Sequence, residues 1–161
     1  EEPPKKYFRM FPGNEVRLMN AYFVTCTGCE KDENGNVTVI HGTYDPATKS
    51  GSGFEGRKVK GTIHWVSAEH ALDADLYLYD NLFTDSDPDA GDKNFLDCLN
   101  PNSLEVLEGC KLEASLADAQ APAHYQFLRL GYFCVDSKDS KPGALVFNRA
   151  VSLKDSFKPG K

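Results

Sequence analysis

Residues 20–44 read NAYFVTCTGCEKDENGNVTVIHGTY, and this stretch decides the fold. Asn20 to Thr27 is apolar and β-prone, and so is Val37 to Tyr44. Between them stands Glu33-Asn34-Gly35-Asn36. Asn-Gly between two β-prone runs signals a hairpin, because a type I′ turn needs positive φ at both central residues. Downstream, Asp45-Pro46 opens a loop that Ser50-Gly51-Ser52-Gly53 makes flexible. Lys58 to Val66 predicts a strand with Val59, Gly61, Ile63 and Trp65 on one face and Lys58, Lys60, Thr62 and His64 on the other. Ala74 to Leu82 alternates Leu76 and Leu78 against Tyr77 and Tyr79. Asp85 to Gly91 is an acidic loop, and Lys93 to Leu99 predicts a short helix stopped before Pro101. Leu104 to Leu112, Tyr125 to Val135 and Leu145 to Leu153 complete the series, while Leu116 to Ala119 is too short to classify. Roughly seven short strands with turn signals between them predict an all-β barrel or sandwich rather than a parallel α/β sheet.

A chain of 161 residues makes one domain, or two small lobes. No apolar run approaches the roughly 18 residues of a membrane span, and the opening EEPPKKYFRMFPG has no signal-peptide core. Those readings place it in the cytoplasm with no membrane partner. The start lacks an initiator Met and enters mid-pattern, which predicts a piece of something longer. Five cysteines, Cys26, Cys29, Cys98, Cys110 and Cys134, cannot all pair internally, so reduced thiols are expected.

Cys26-Thr-Gly-Cys29 has the spacing of one zinc knuckle, but a structural zinc needs four ligands and no second pair occurs, so no metal is expected. His41, His64, His70 and His124 are scattered, and no nucleophile-elbow motif supports a hydrolase. Asp85, Asp87, Asp89 and Asp92 lack the Gly and Glu of a calcium loop. The basic residues say more. Lys5, Lys6, Arg9 and Arg17 are interleaved with Tyr7, Phe8 and Phe11, and Arg57, Lys58 and Lys60 form a second cluster. Gln126 and Arg129 lie among aromatics. Arg, Gln and aromatic side chains are the kit that stacks and hydrogen-bonds unpaired RNA bases.

Four blocks carry a resemblance: FPGNEVRLMNAY, GRKVKGTIHWVSAEHA, LRLGYFCVDS and VFNRAVSLKDS. In this order they closely resemble the C-terminal anticodon-binding region of the glutaminyl-tRNA synthetase family, from about Lys6 to Phe157. That family is a class I aminoacyl-tRNA synthetase, whose catalytic domain uses ATP and Mg to attach glutamine to its tRNA. Nothing in these 161 residues resembles that domain or its nucleotide-binding motifs, so no catalytic residue and no cofactor is expected here. The resemblance implies antiparallel β-barrels with short helices, a distal one over roughly residues 10–115 and part of a proximal one over 116–161, the latter missing its first strands. It implies a monomer whose partners are the anticodon loop of glutamine tRNA and the catalytic domain of the same chain. The other reading is a stand-alone β-barrel module for a protein partner, without tRNA binding.

Carried over residue by residue, Arg9 matches an Arg associated with the third anticodon base and Arg17 one near the first. Gln126 and Arg129 match residues of the middle-base pocket. Lys6, Phe8, Met19, Asn20, Arg57, Lys58 and Lys60 are candidate backbone or base contacts. Met19 stands where the best-known bacterial members have a second Arg, which removes a charged contact at the wobble pocket. Phe8 stands where they have a Lys. Gln126 and Arg129 are three apart, so an ideal strand would point them to opposite faces. Sharing one pocket requires a bulge or strand end between them.

The net charge of −6 is uneven. Residues 1–65 carry 9 basic and 8 acidic side chains, residues 66–120 carry 2 and 13, and residues 121–161 carry 7 and 3. Every candidate base-reading residue lies in the outer segments, which predicts that RNA meets one side while the acidic middle faces water.

Overall fold

A computed structural model describes residues 8–153. Their regular structure is nine strands and three short 3-10 turns, an all-β chain. Contacts divide it into two units, Glu1–Trp65 and Val66–Lys161.

The first unit holds β1 (Glu15–Leu18), β2 (Phe23–Lys31), β3 (Val37–Asp45) and β4 (Thr62–Ile63), in the order β3-β2-β1-β4. β2 and β3 form the expected hairpin, but its turn is not type I′. The Gly35 amide donates to the Asp32 carbonyl and the Asp32 amide to Asn36, and of Asn34 and Gly35 only Gly35 has positive φ. That is a type I turn followed by a left-handed residue. Asp32 sets it, accepting from the Asn34 and Asn36 amides at 2.9 and 2.8 Å. Val16 and Cys26 are buried on one face of the sheet and Phe23 on the other, with Thr48 the buried polar residue. The Thr48 hydroxyl accepts from the Phe23 amide at 2.8 Å and donates to the Asp45 carbonyl at 2.7 Å, tying the loop after β3 to the start of β2.

The expected strand over Lys58–Val66 shrinks to Thr62–Ile63. A strand exists only where it finds a partner, and β4 pairs in parallel with Arg17 and Leu18 alone. The four residues of β1 leave no edge for the rest.

The second unit holds β5 (Leu72–Tyr79), β6 (Leu104–Leu112), β7 (His124–Phe127), β8 (Gly131–Val135) and β9 (Leu145–Ser152), in the order β6-β5-β9-β8-β7. Its core gathers Ala74, Leu76, Leu112, Leu116, Phe133, Val135, Leu145 and Phe147. Tyr125 and Phe127 pack against it from β7. The Asp136 carboxylate knots the loop between β8 and β9, accepting from the Lys138 and Asp139 amides at 2.7 Å and from the Asn148 amide side chain at 2.6 Å.

Three expectations change. The sheets are not purely antiparallel, since β1–β4 and β5–β9 run parallel. Both parallel pairs join strands far apart in sequence, where no tight turn dictates direction. Neither strand order closes into a ring among the described residues. The contact division at Trp65/Val66 keeps residues 115 and 116 inside the second unit, between strands of one sheet. The expected single strand Tyr125–Val135 is a hairpin. The Leu130 amide donates to the Phe127 carbonyl at 2.9 Å, and Arg129 takes the left-handed conformation at φ 69°.

Candidate nucleic-acid interface

In the first unit the site is a row across the sheet. Arg17 lies directly opposite Phe23, and Phe23 opposite Asp45. Strand pairing therefore sets the Arg17 guanidinium over the Phe23 ring, 4.4 Å from its centroid. The loop after β3 closes over the same face. Ser50 Oγ accepts from an Arg17 terminal nitrogen at 3.1 Å, and Phe54 meets the Phe23 ring edge-on at 5.9 Å.

Arg57 is bound differently. Its Nε and one terminal nitrogen donate to the two Glu15 oxygens at 2.8 and 2.6 Å, and the same terminal nitrogen reaches Asp45 at 2.8 Å. The Arg57 hydrogen bonds hold both carboxyls below their ordinary range, and the two carboxylates raise the Arg57 pKa in turn. Arg57 is a fastener between strands, already committed to protein acids. Arg17 has only neutral partners, a ring and a hydroxyl, among the described residues.

A pH dependence follows from this cluster. Carboxylates depressed in the folded state contribute fully above the ordinary carboxylate pKa of about 4, and the contribution is lost as pH falls through the folded values. Thermal unfolding of Arg57→Ala against the unsubstituted chain checks it. The gap in Tm holds steady from neutral pH to about pH 5 and narrows below about pH 4. A gap independent of pH would contradict it.

The remaining first-unit candidates scatter. Lys6 lies outside the described residues. Phe8 is exposed, with Lys60 Nζ 5.9 Å from its ring centroid. Arg9 is half-buried, and its carbonyl accepts from the Asn14 side chain at 2.9 Å. Met19 is half-buried, its carbonyl taken by the Trp65 indole N–H at 3.0 Å. Asn20 makes the β1–β2 turn at φ 57°, a conformation Asn tolerates. Lys58 is exposed in the stretch before β4.

In the second unit Gln126 and Arg129 share a hairpin, which resolves their three-residue spacing: the strand ends at Phe127, between them. Gln126 lies on the solvent face of β7, while Tyr125 and Phe127 turn inward. It is paired with Tyr132, itself paired with Val151, so the three form an exposed row across β7, β8 and β9. Arg129 occupies the turn just beyond. Sequence reasoning missed Tyr132, Arg149 and Ser50. Arg149 lays its stem over Gly131: a Cβ built there would stand 3.5 Å from Arg149 Cδ. A Gly within an aromatic run was the available signal, since it marks close approach.

A cavity of about 310 Å³ in this unit is lined by Ala117–Ala121, Val135–Ser137 and Ser140–Pro142, away from Gln126 and Arg129. Cys26 is buried and Cys29 exposed, and no group of three or more His, Cys, Asp or Glu that could hold a metal occurs among the described residues. No helix among them is long and apolar enough to cross a membrane.

An all-β chain that presents arginines, an amide and aromatics on sheet faces and hairpins is matched by two family models. Residues 3–45 and 62–136 each match a model described as tRNA synthetases class I (E and Q), anti-codon binding domain. The chain belongs to this family of anticodon-binding domains. It is 57% identical over 161 residues to the glutamine–tRNA ligase of Clostridioides difficile (strain 630), covering all of this chain and 29% of that protein. It is 58% identical over 158 residues to the glutamine–tRNA ligase of Ralstonia pickettii (strain 12J), covering 98% of this chain and 27% of that one. It therefore spans less than a third of the length of these curated relatives.

Proposed function

We propose that this chain reads the anticodon of glutamine tRNA as the recognition region of a glutamine–tRNA ligase. The observation that carries the reading is chain-long identity of 56–58% to glutamine–tRNA ligases. The geometry supports it, because Arg17 offers its donors from a fixed position and Gln126 can both donate and accept from an exposed face. On this reading Arg17 reads the first anticodon base, Gln126 and Arg129 the middle base, and Arg9 the third. Lys58, Lys60 and Lys6 supply phosphate contacts, and Phe8 supplies stacking. The first unit corresponds to the distal barrel and the second to part of the proximal one. ATP and Mg then belong to a catalytic domain outside these 161 residues, in a monomeric cytoplasmic enzyme.

A gel shift with anticodon stem-loops tests the reading. Glutamine-anticodon loops bind more tightly than loops altered at a single base, and binding weakens as salt rises. Gln126→Ala or Arg9→Ala relaxes discrimination at one position by about 1–3 kcal/mol. Binding indifferent to anticodon sequence would refute it.

A further inference from the structure

We propose that Ser50 is a positioning residue for recognition of the first anticodon base: its hydroxyl, anchored on the Ala21 carbonyl, fixes the plane of the Arg17 guanidinium over Phe23. The inference rests on the assignment of Arg17 to that base, and it adds a residue that would not itself touch RNA.

Three observations support it. The first concerns the hydroxyl. Ser50 Oγ donates to the Ala21 carbonyl at 3.1 Å, and the Ser50 amide donates to the same carbonyl at 2.9 Å. With its one proton committed, the oxygen offers only lone pairs, and Arg17 supplies the matching donor at 3.1 Å. The second concerns what the ring leaves open. A guanidinium above an aromatic face is held at a height but can rotate about the ring normal. A single directional hydrogen bond removes that rotation. The third concerns the loop. Asp45 caps the 3-10 turn Pro46–Thr48 by accepting from the Ala47 amide at 3.0 Å, and the buried Thr48 pins that turn to Phe23. Ser50 follows two residues later, and Gly51 and Gly53, both at positive φ, return the chain toward Phe54. The acceptor is thus built into a tethered loop.

The arrangement spends one Arg17 donor on a neutral oxygen and leaves the others for a ligand. A carboxylate in the same place would neutralise the charge, as Glu15 and Asp45 do for Arg57. A hydroxyl orients without neutralising, which suits a cation meant to meet a polyanion.

The test compares affinities of the 161-residue chain for anticodon stem-loops differing only at the first anticodon base, at low salt. Ser50→Thr and Ser50→Val have nearly the same shape and differ in the hydroxyl, so the pair separates the hydrogen bond from packing. Ser50→Thr keeps the first-base ratio, and Ser50→Val lowers it about tenfold, the size of one hydrogen bond to a charged group. Ratios at the other two bases stay unchanged. Ser50→Val retaining full discrimination, or losing it equally at all three bases, overturns the proposal. Arg17→Ala is the control on the underlying reading. If it leaves the first-base ratio intact, the assignment of Arg17 fails and Ser50 loses its role with it. If Arg17→Ala abolishes the ratio and Ser50→Val does not, only the positioning role is refuted.

Discussion

Phe147→Ala lowers the stability of the chain by about 3–5 kcal/mol, the usual loss when a buried aromatic is truncated and the site cannot collapse. Phe147 is fully buried at 0% exposure on a strand flanked on both sides, pairing with Leu76 of β5 and Val135 of β8. Its ring meets Tyr125 edge-on at 6.0 Å and Phe127 at 5.4 Å, and Phe127 stacks on Phe133 at 4.5 Å. Tyr125 and Phe127 are the inward residues of the strand that carries Gln126 outward, so the cavity opens directly beneath the β7–β8 hairpin. Small domains hold about 5–15 kcal/mol in total, so the loss consumes much of the margin. Urea unfolding measures it. A cost under about 1 kcal/mol would mean that the aromatic cluster does not hold the sheet together.

Gly131→Ala is the second large effect, and its cause is steric. Gly131 is buried at the base of the β7–β8 hairpin with φ +154°, and a Cβ there would stand 2.6 Å from the Val151 carbonyl oxygen. The obstacle is backbone of the neighbouring strand, which yields only if the β8–β9 pairing shifts. Overpacking and backbone strain together cost about 2–5 kcal/mol. Gly109→Ala separates the two contributions. Gly109 also has positive φ, +63°, but its Cβ would meet nothing within 4 Å, so only strain of about 1 kcal/mol applies. Equal losses at the two glycines would rule out the clash as the cause. Gly131→Ala also moves Arg149 and the turn that holds Arg129, so anticodon binding falls along with stability.

Much of this fold is legible in the sequence where strand and turn signals agree. Leu104–Leu112 reads as a strand from its residues and is one. The β2–β3 hairpin is visible in Asn34-Gly35, although its turn type depends on Asp32, two residues upstream of Asn34, accepting two amides. The break at Leu128-Arg129-Leu130 is not legible, because a left-handed arginine between leucines carries no turn chemistry. Its cause is tertiary: Phe127 and Phe133 both need the core, and a hairpin lets them stack. The sorting of the arginines is equally hidden. Nothing local distinguishes Arg17 from Arg57. The difference arises because the fold brings Glu15 to Arg57 across 42 residues of chain, and Asp45 across 12.

Those two carboxylates also bear on what Arg17 would meet without Arg57. Glu15 lies two residues from Arg17 on the same strand, and therefore on the same face of the sheet. Arg57 occupies it, and occupies Asp45 as well. Loss of Arg57 alone would leave two carboxylates without their cation on the face that carries Arg17. Arg57 thus acts as the counter-charge that keeps both carboxylates from competing for Arg17, which is left with a ring and a hydroxyl.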